Sequence, residues 1–437
     1  MKLHFFKDCI KYLFAFMAVL LLLTGFIVGV ATIPRDKIKC NFLESAKYMC
    51  ERRTSYLITN WIHASQMDRY ADCITLSISH QLDENRPLES AMRTSFYGGY
   101  SRSMNNYLLE SVQNNLKASH EYIRYWHGSA ATMRFLHLFW NIKAIYIFHA
   151  VLMALLSLIL IIILLKNRFR IESASYVLSM IIVSIWYVPL CLEYTYTFLC
   201  MMIASIIGLL LAVKQKCQLL GVFFMITGMV TVYFDFLTTE TLTLLIPLLL
   251  ILRVFRRQDK SGKELWINGL KFGATWGIGY LGMWVMKWFL ASIALKENVL
   301  PYVTGHVTER INGAVSGYHI TGNTYLDTLL LNLRNLFPYE YGLSGAVLVV
   351  AFIFAVIVLP VVAGHVKMRK NVRASNVLLF AAIGLVPYVR YLILHNHSYI
   401  HSFFTYRAQA ATVLALCFII LDLVEPTKRK SVTSYET

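Results

Sequence analysis

Apolar blocks as long as a bilayer is thick constrain this sequence more than any other feature. A helix that crosses a hydrocarbon core of about 30 Å needs roughly 20 mostly apolar residues. Charged residues make up only 15% of the chain, whereas soluble globular chains contain about 25%. The sequence therefore predicts an all-α polytopic membrane protein and excludes an ordinary soluble domain. About ten transmembrane helices are predicted, over residues 12–32, 143–165, 174–191, 195–213, 217–235, 241–253, 266–290, 342–364, 375–393 and 408–424.

The first apolar block is predicted to be an uncleaved anchor. Lys2, Lys7 and Lys11 precede it, as they would precede a secretory signal. The apolar core of a cleaved signal peptide, however, covers only about 7–15 residues. Because the run at 12–32 is long enough to span the bilayer, we expect it to remain in the protein.

Basic residues occur in every second connection between the apolar blocks. Lys and Arg are retained on the cytoplasmic side of a membrane, and the short connections Glu193–Tyr196 and Asp235–Glu240 contain neither. The pattern predicts a plasma-membrane protein with both termini in the cytoplasm. The net charge of +17 is then a topology signal that also attracts anionic lipid, and no nucleic-acid partner is predicted. The predicted inward segments are Met1–Lys11, Lys166–Arg170, Lys214–Lys216, Arg253–Lys263, His365–Arg373 and Glu425–Thr437.

Two long segments are predicted to face outward, and they divide the chain into five parts. The first contains many aromatic residues, which suit the headgroup region, so we expect short interfacial helices there; a small globular cap is the alternative. Cys40, Cys50 and Cys73 in this loop permit one disulfide at most. The parts are a cytoplasmic segment and anchor (1–32), a large extracytoplasmic loop (33–142), transmembrane helices 2–7 (143–293), a second extracytoplasmic loop (294–341), and transmembrane helices 8–10 with a cytoplasmic tail (342–437).

Polar groups near membrane depth are costly and are functional candidates, and four clusters of them are predicted on the outward side. The first contains Asp68 and Asp72. If this stretch is helical, the two carboxylates share one face with Arg69 beside them. Either could act as a general base toward a hydroxyl group. The alternative is a solvated helix face with an Asp–Arg pair.

The second cluster runs from Arg124 to Gly128 and is followed by Arg134 and His137. Arg124 and His127 could hold a phosphate through charge-assisted hydrogen bonds, while Trp126 could stack on a sugar ring or a lipid headgroup. The alternative is an interfacial aromatic anchor.

The third cluster surrounds Asp235 between two spans. Desolvation among aromatic residues should raise the pKa of this carboxyl group unless a cation is near. The alternative is a helix start at Thr238 or Thr239.

The fourth cluster precedes the last span and includes His397, His401, Tyr406 and Arg407. Two histidines four residues apart could bind zinc, but no third ligand is evident nearby. Anion binding fits better, because Arg407 at the edge of an apolar helix needs a counter-charge that a phosphate would supply.

No signature of a soluble active site occurs in the sequence. It has no glycine loop for phosphates, no Gly-x-Ser-x-Gly motif and no Asp-x-Asp motif in a predicted cytoplasmic loop. An outward-facing enzyme has no access to cytosolic nucleotides, so its donor would be linked to a lipid.

The arrangement resembles the GT-C superfamily of integral membrane glycosyltransferases, in which one anchor helix precedes a large outward loop with acidic residues. The segments Met67–Asp72, Arg124–Gly128, Tyr233–Thr239 and His397–Arg407 also look like parts of uncharacterised multispanning proteins of Gram-positive bacteria. The resemblance implies inverting transfer of a sugar from a polyprenyl-phosphate donor to a glycan or lipid acceptor at the membrane surface.

By position, the resemblance makes Asp68 the first choice for the catalytic base and Asp72 the second. It leaves a divalent cation open as a cofactor and predicts no metal ligands. It assigns His397, His401, Arg407, Arg124 and His127 to the donor phosphate, and Asp235, Tyr406 and Trp126 to the same cavity.

Three other functions remain open at the sequence level. A polysaccharide ligase or polymerase would have a similar outward loop. A transporter or lipid flippase would have interrupted helices and charges near the midplane, and an anchoring protein would have no chemistry at all.

Overall fold

The computed structural model describes residues 2–60, 62–312, 324–336, 366–370 and 372–426. The predicted span 342–364 lies outside the described residues, as do parts of the second outward loop and most of the predicted tail. The described residues are mainly helical, and they form a bundle of long apolar helices with a smaller group of helices at one end. We call the segment 33–141 at that end the cap.

Seven described helical segments are long and apolar enough to cross a membrane. They confirm a mainly helical membrane protein, while the count of ten spans stays a prediction. Five of these segments lie in the helices α1 (Lys2–Ala31), α7 (Ile142–Lys166), α9 (Leu192–Val213), α12 (Gly262–Leu295) and α15 (Ala374–Ile393). The other two, Cys217–Phe234 and Ser402–Leu423, combine α10 (Leu220–Phe234) and α18 (Ala410–Leu423) with the short turns that precede them. The remaining described helices outside the cap are α8 (Arg170–Ile182), α11 (Leu242–Arg257), α13 (Leu300–Asn312), α14 (Thr324–Asn335), α16 (His395–Ile400) and α17 (Ser402–Thr405).

Two of the predicted spans form helices that are shorter than a crossing helix. In the first, α8 ends at Ile182, and the chain continues through Ser184 with a left-handed φ of 55° into the 3-10 turn Ile185–Leu190. In the second, α11 has 16 residues and nearly all of them are buried. Because α11 is surrounded by other helices, lipid contact does not set its length.

The end of the bundle opposite the cap is held by buried ion pairs. Arg253 Nε lies 3.0 Å from Glu172, and Arg253 Nη1 lies 2.6 Å from Asp422. Arg257 also pairs with Glu172 at 2.9 Å and donates a hydrogen bond to the Arg168 carbonyl. Connections that the sequence predicts to face the cytoplasm therefore meet at one end.

Helices α10 and α12 pack so closely that their backbones touch at two glycines. A Cβ atom on Gly279 would lie 2.0 Å from the Met225 carbonyl oxygen, and one on Gly228 would lie 2.2 Å from that of Trp276. Small residues at such contacts let membrane helices approach at van der Waals distance.

The cap is a packed helical unit. Ile38, Phe42, Leu76, Met104 and Met133 come from four different helices and are at most 2% exposed. The buried aromatic residues of this segment serve as core, which matches the globular alternative better than a row of interfacial helices. Its elements are α2 (Arg35–Cys50), β1 (Ser55–Leu57), β2 (Gln66–Asp68), α3 (Arg69–Gln81), α4 (Pro87–Arg93), α5 (Met104–Asn114) and α6 (Gly128–Leu136).

The two basic residues that follow the second cluster have structural roles: Arg134 joins the cap to α1, and His137 joins α2 to α6 within the cap. Arg134 is fully buried and donates to the carbonyls of Val30, Ile33 and Ser79. His137 bridges Ser45 and the Met133 carbonyl, and burial lowers the pKa of its imidazole to about 4. All eight cysteines are described and free, so Cys40, Cys50 and Cys73 do not form the one disulfide that they permit.

Candidate functional site

A short two-stranded ribbon in the cap separates two cavities. Strands β1 and β2 are antiparallel, with Ser55 opposite Asp68 and Tyr56 opposite Met67. Successive side chains of a strand point to opposite faces. Ser55, Asp68 and Gln66 therefore share one face of the ribbon.

The first cavity, which we call the ribbon cavity, lies on the face of Asp68 and has a volume of about 360 Å³. Three separate parts of the chain form its wall: the ribbon region, the end of α14, and the segment between α16 and α18. Acidic, basic and amide groups face one another across it. Its lining consists of Ser55, His63, Gln66, Asp68, Leu331, Arg334, Asn335, Ile400, His401, Ser402 and Phe403.

Asp68 stands at the N-terminus of α3 and not within a helix, contrary to the prediction of one face shared with Asp72. Its Oδ1 accepts a hydrogen bond of 3.0 Å from the Ala71 N–H, so the carboxylate caps the helix. Burial raises the pKa of Asp68 above its usual range, and the hydrogen bonds from the backbone of Ala71 and Tyr70 act in the opposite direction. A raised pKa moves a carboxylate toward the value that suits a general base near neutral pH.

The wall opposite the ribbon is braced by asparagine side chains of α14. Asn332 donates to the Ser398 carbonyl at 3.0 Å, and Asn335 donates to the Ser402 carbonyl at 2.9 Å. These bonds fix the backbone on both sides of His401. The His401 ring stacks on Phe404 with centroids 5.1 Å apart, so packing also sets its orientation.

His397 lies behind His401, away from the ribbon cavity. It is 3% exposed, and its ring centroid is 4.6 Å from that of His401. The two histidines predicted together are thus in contact, but of the pair only His401 lines the cavity.

Asp72 serves as an anchor between the cap and the bundle. It is fully buried, and its carboxylate accepts hydrogen bonds from the Tyr146 hydroxyl at 2.5 Å and the Leu192 N–H at 2.8 Å. The second bond holds the first residue of α9. Burial raises the pKa of Asp72 to about 7. The structural role of this carboxylate therefore explains its buried position, and no catalytic role is needed.

Arg407 supports the ribbon cavity from behind. The side chain is completely buried, and its guanidinium donates to the Ala64 carbonyl at 2.8 Å and the Phe403 carbonyl at 3.0 Å. It also lies over the rings of Tyr194 and Tyr406. Tyr406 is buried as well and donates to the Val183 carbonyl. Arg407 thus joins the His63–Ser65 turn to the last span, next to two residues that line the cavity.

The structure places the second cluster away from the ribbon cavity. Trp126 is buried and donates to the Met283 carbonyl at 2.9 Å, while the Arg124 guanidinium lies 4.2 Å from the centre of the Tyr122 ring. His127 is buried between aromatic rings, and burial together with the charge of Lys287 lowers its pKa well below the usual range. A neutral imidazole supplies no charge for a phosphate.

Asp235 belongs to a buried polar network between spans. It accepts hydrogen bonds from the hydroxyls of Thr197 and Thr238 and from the Thr238 N–H. Burial, with a further contribution from the carboxylate of Glu240, raises the pKa of Asp235 to about 6. Glu240 pairs with Arg390 at 2.9 Å. Asp235 does not line the ribbon cavity.

The sequence did not predict several of the residues that line the ribbon cavity. Arg334 adds a cationic group to the wall, His63 adds an imidazole, and Asn335 adds an amide. A polar face on the amphipathic stretch 324–335 was the available signal, but nothing in the sequence linked that stretch to Asp68.

Comparisons with known proteins give no identification. No family model, no curated protein and no solved structure matches the chain. In the part of the chain that the structure describes, no three His, Cys, Asp or Glu side chains form a group that could hold a metal ion.

Proposed function

We propose that this protein is a membrane glycosyltransferase that moves a sugar from a polyprenyl-phosphate donor to a glycan or lipid acceptor at the extracytoplasmic face. One observation carries the proposal. Asp68 and His401, from opposite ends of the chain, line the same cavity together with Arg334 and His63. A carboxylate opposite an arginine and two imidazoles suits transfer from a phosphate, because one side must accept a proton and the other must stabilise the departing phosphate.

Asp68 acts as the general base in this proposal. The carboxylate takes the proton of the acceptor hydroxyl while that oxygen forms a bond to the anomeric carbon of the sugar. The bond between the anomeric carbon and the phosphate oxygen breaks at the same time, and its electrons leave with the polyprenyl phosphate. Attack from the face opposite the phosphate inverts the anomeric centre. No nucleotide is consumed.

His401, Arg334 and His63 hold the donor phosphate. Arg334 can donate two parallel hydrogen bonds to phosphate oxygens, and charge-assisted bonds of this kind are stronger than neutral ones. Asn332 and Asn335 brace the segment that contains His401. These bonds keep the phosphate-binding side chains in place, as electrostatic stabilisation of a transition state requires. Arg407 acts as a positioning residue.

The activity is tested with the full chain in proteoliposomes. Polyprenyl phosphates that carry radiolabelled glucose, galactose, mannose or N-acetylglucosamine serve as donors, and cell-envelope glycans or glycolipids serve as acceptors. We expect label in the acceptor and release of free polyprenyl phosphate. A transporter or flippase would move the intact donor across the membrane, and that outcome would contradict the proposal.

Variants of the proposed phosphate-binding residues His401 and Arg334 test the site itself. Replacing His401 or Arg334 with Ala should raise the KM for the donor about 10- to 100-fold, since each change removes a hydrogen bond to a charged group. Glu110→Gln is the matched control, because Glu110 is a surface residue of the cap that pairs with Arg102 and lines neither cavity of the ribbon. An unchanged donor KM in both the His401 and the Arg334 variant would show that the donor phosphate does not bind in this cavity.

A further inference from the structure

The opposite face of the ribbon borders a second cavity that the proposed reaction does not use. Tyr56 and Met67 point to this side, and the same alternation brings Ile58 and Arg69 to it. The cavity, which we call the tyrosine cavity, has a volume of about 270 Å³. Its lining consists of Tyr48, Glu51, Arg52, Tyr56, Ile58, Met67, Arg69, Tyr146 and Leu190.

A buried arginine stands at the centre of the tyrosine cavity. Arg69 is 5% exposed, and its guanidinium lies 4.5 Å from the centre of the Tyr48 ring and 5.1 Å from that of Tyr56. It donates a hydrogen bond of 3.1 Å to the Tyr48 carbonyl. A second side-chain hydrogen bond joins Arg69 to Tyr56. A guanidinium has five N–H donors in a fixed plane, so these two bonds leave further donors for an anion.

The charge of Arg69 is not balanced by a carboxylate. In the described ranges, Arg69 has no ion pair, whereas Glu51 on the rim pairs with Lys143 at 3.3 Å. Arg52 brings a second guanidinium, 5.1 Å from the centre of the Tyr56 ring. Buried cations are costly without a counter-charge, and two guanidinium groups beside two tyrosine hydroxyls can meet several oxygens of one anion.

The cavity lies beside the outer surface of the bundle. Tyr146 belongs to the first turns of α7, and Leu190 ends the 3-10 turn before α9. Trp140 and Trp186, near these two residues in the chain, are 39% and 53% exposed. Exposed tryptophans mark the level of lipid headgroups in membrane proteins. The tyrosine cavity therefore opens near the depth at which lipid phosphates lie.

We propose that the tyrosine cavity binds a phosphate group through Arg69 and Arg52. Tyr48 and Tyr56 hold the Arg69 guanidinium between their rings, so the planar donor is fixed before the anion arrives. The level of the exposed tryptophans favours a phosphate on a lipid headgroup, and a free phosphate ion has the same chemistry. The site does not depend on glycosyl transfer, because it lies on the other face of the ribbon.

Native mass spectrometry of the full-length protein in detergent tests this proposal with two probes. The first probe is phosphatidylglycerol in mixed micelles, and micelles with phosphatidylcholine serve as its reference. The second probe is inorganic phosphate. We expect one of the two probes to bind the wild type and Arg69→Met to weaken that binding about tenfold or more, as loss of a charge-assisted bidentate contact implies. Binding of phosphatidylglycerol in preference to phosphatidylcholine identifies a lipid ligand. Binding of inorganic phosphate without such a lipid preference identifies a soluble ligand.

Two further variants keep the test decisive. Arg52→Met removes the outer, exposed guanidinium and should weaken binding even if Arg69→Met does not fold. Arg102→Met is the control, because Arg102 is an exposed cap arginine that pairs with Glu110 away from the cavity. Failure of both probes to bind the wild type overturns the proposal, and so does equal binding by wild type, Arg52→Met and the control.

Discussion

Asp68 and Met67 are consecutive in the chain but face two different cavities. The alternation of strand β2 sends Asp68 to the ribbon cavity and Met67 to the tyrosine cavity. One ribbon of six paired residues thus organises both candidate sites. A shift of its register by one residue would exchange the two faces, so the parts that hold the ribbon in place matter as much as the groups that line the cavities.

Replacing Asp72 should separate its structural role from catalysis. Asp72→Ala leaves the Leu192 N–H and the Tyr146 hydroxyl without their acceptor, and we expect a loss of about 2–4 kcal/mol in the free energy of unfolding. Asp72→Asn keeps an acceptor oxygen and should lose less than half as much. Thermal unfolding in detergent measures both. Equal stability of the alanine variant and the wild type would show that the anchor does not contribute.

The same residue should make stability depend on pH. The carboxyl of Asp72 has a pKa of about 7 in the folded protein and 3.8 as its ordinary value, which we take for the unfolded chain. Between these values the folded state binds a proton that the unfolded state does not, so stability falls as pH rises from about 4 to 7 and is level above that. The slope is at most about 1.4 kcal/mol per pH unit.

Asp72→Asn carries no titrating group and isolates this effect. We expect the Tm of the variant, relative to that of the wild type, to rise between about pH 5 and about pH 8. Asp235 is present in both proteins, so its own titration cancels in the difference. A Tm difference that stays constant over this range would contradict the raised pKa.

The close contact between α10 and α12 gives a prediction with a control on the same helix. Gly279→Ala places a methyl group against the Met225 backbone, and we expect a loss of about 1–3 kcal/mol because neither helix can give way locally. Gly277→Ala meets no atom within 4 Å and should be neutral or stabilising by up to about 1 kcal/mol. Thermal unfolding of the two variants side by side makes the comparison, and equal Tm values would refute this packing.

Arg407→Lys tests whether Arg407 positions the cavity wall or binds the phosphate. Lysine cannot donate to the Ala64 and Phe403 carbonyls from a fixed plane while stacking on Tyr194. We expect a loss of about 1–3 kcal/mol in stability and a fall in kcat. If Arg407 instead bound the phosphate directly, the lysine variant would keep its Tm and show a raised donor KM.

Much of the bundle could be predicted from the sequence, because hydropathy reports the length of an apolar run. The block at 241–253 shows the limit of that signal. Its helix, Leu242–Arg257, is buried among other helices, and hydropathy cannot distinguish lipid from protein as the apolar neighbour. Pro189 lies inside the 3-10 turn Ile185–Leu190, and proline disrupts a helix, but the start of this turn after Ser184 depends on tertiary contacts.

The candidate site was only partly predictable. Asp68 and His401 were recognised from their residue types, but the helical spacing assumed for Asp68 and Asp72 was wrong because α3 begins at Arg69. Strands of three residues leave almost no periodic signal, so the ribbon was missed. Arg334 reaches the cavity through the packing of α14 against the segment before the last span, and a contact between distant parts of the chain cannot be seen in one sequence.

The most direct test of the account is a single-turnover rate with saturating donor and acceptor, comparing wild type with Asp68→Asn. Under these conditions substrate binding does not limit the rate, so the comparison reports the chemical step. Loss of a general base predicts a rate about 100- to 10,000-fold lower in the variant, with the Tm lowered by no more than the loss of one weakened helix cap. A single-turnover rate equal to that of the wild type would show that Asp68 is not the base and that the ribbon cavity is not the site of transfer.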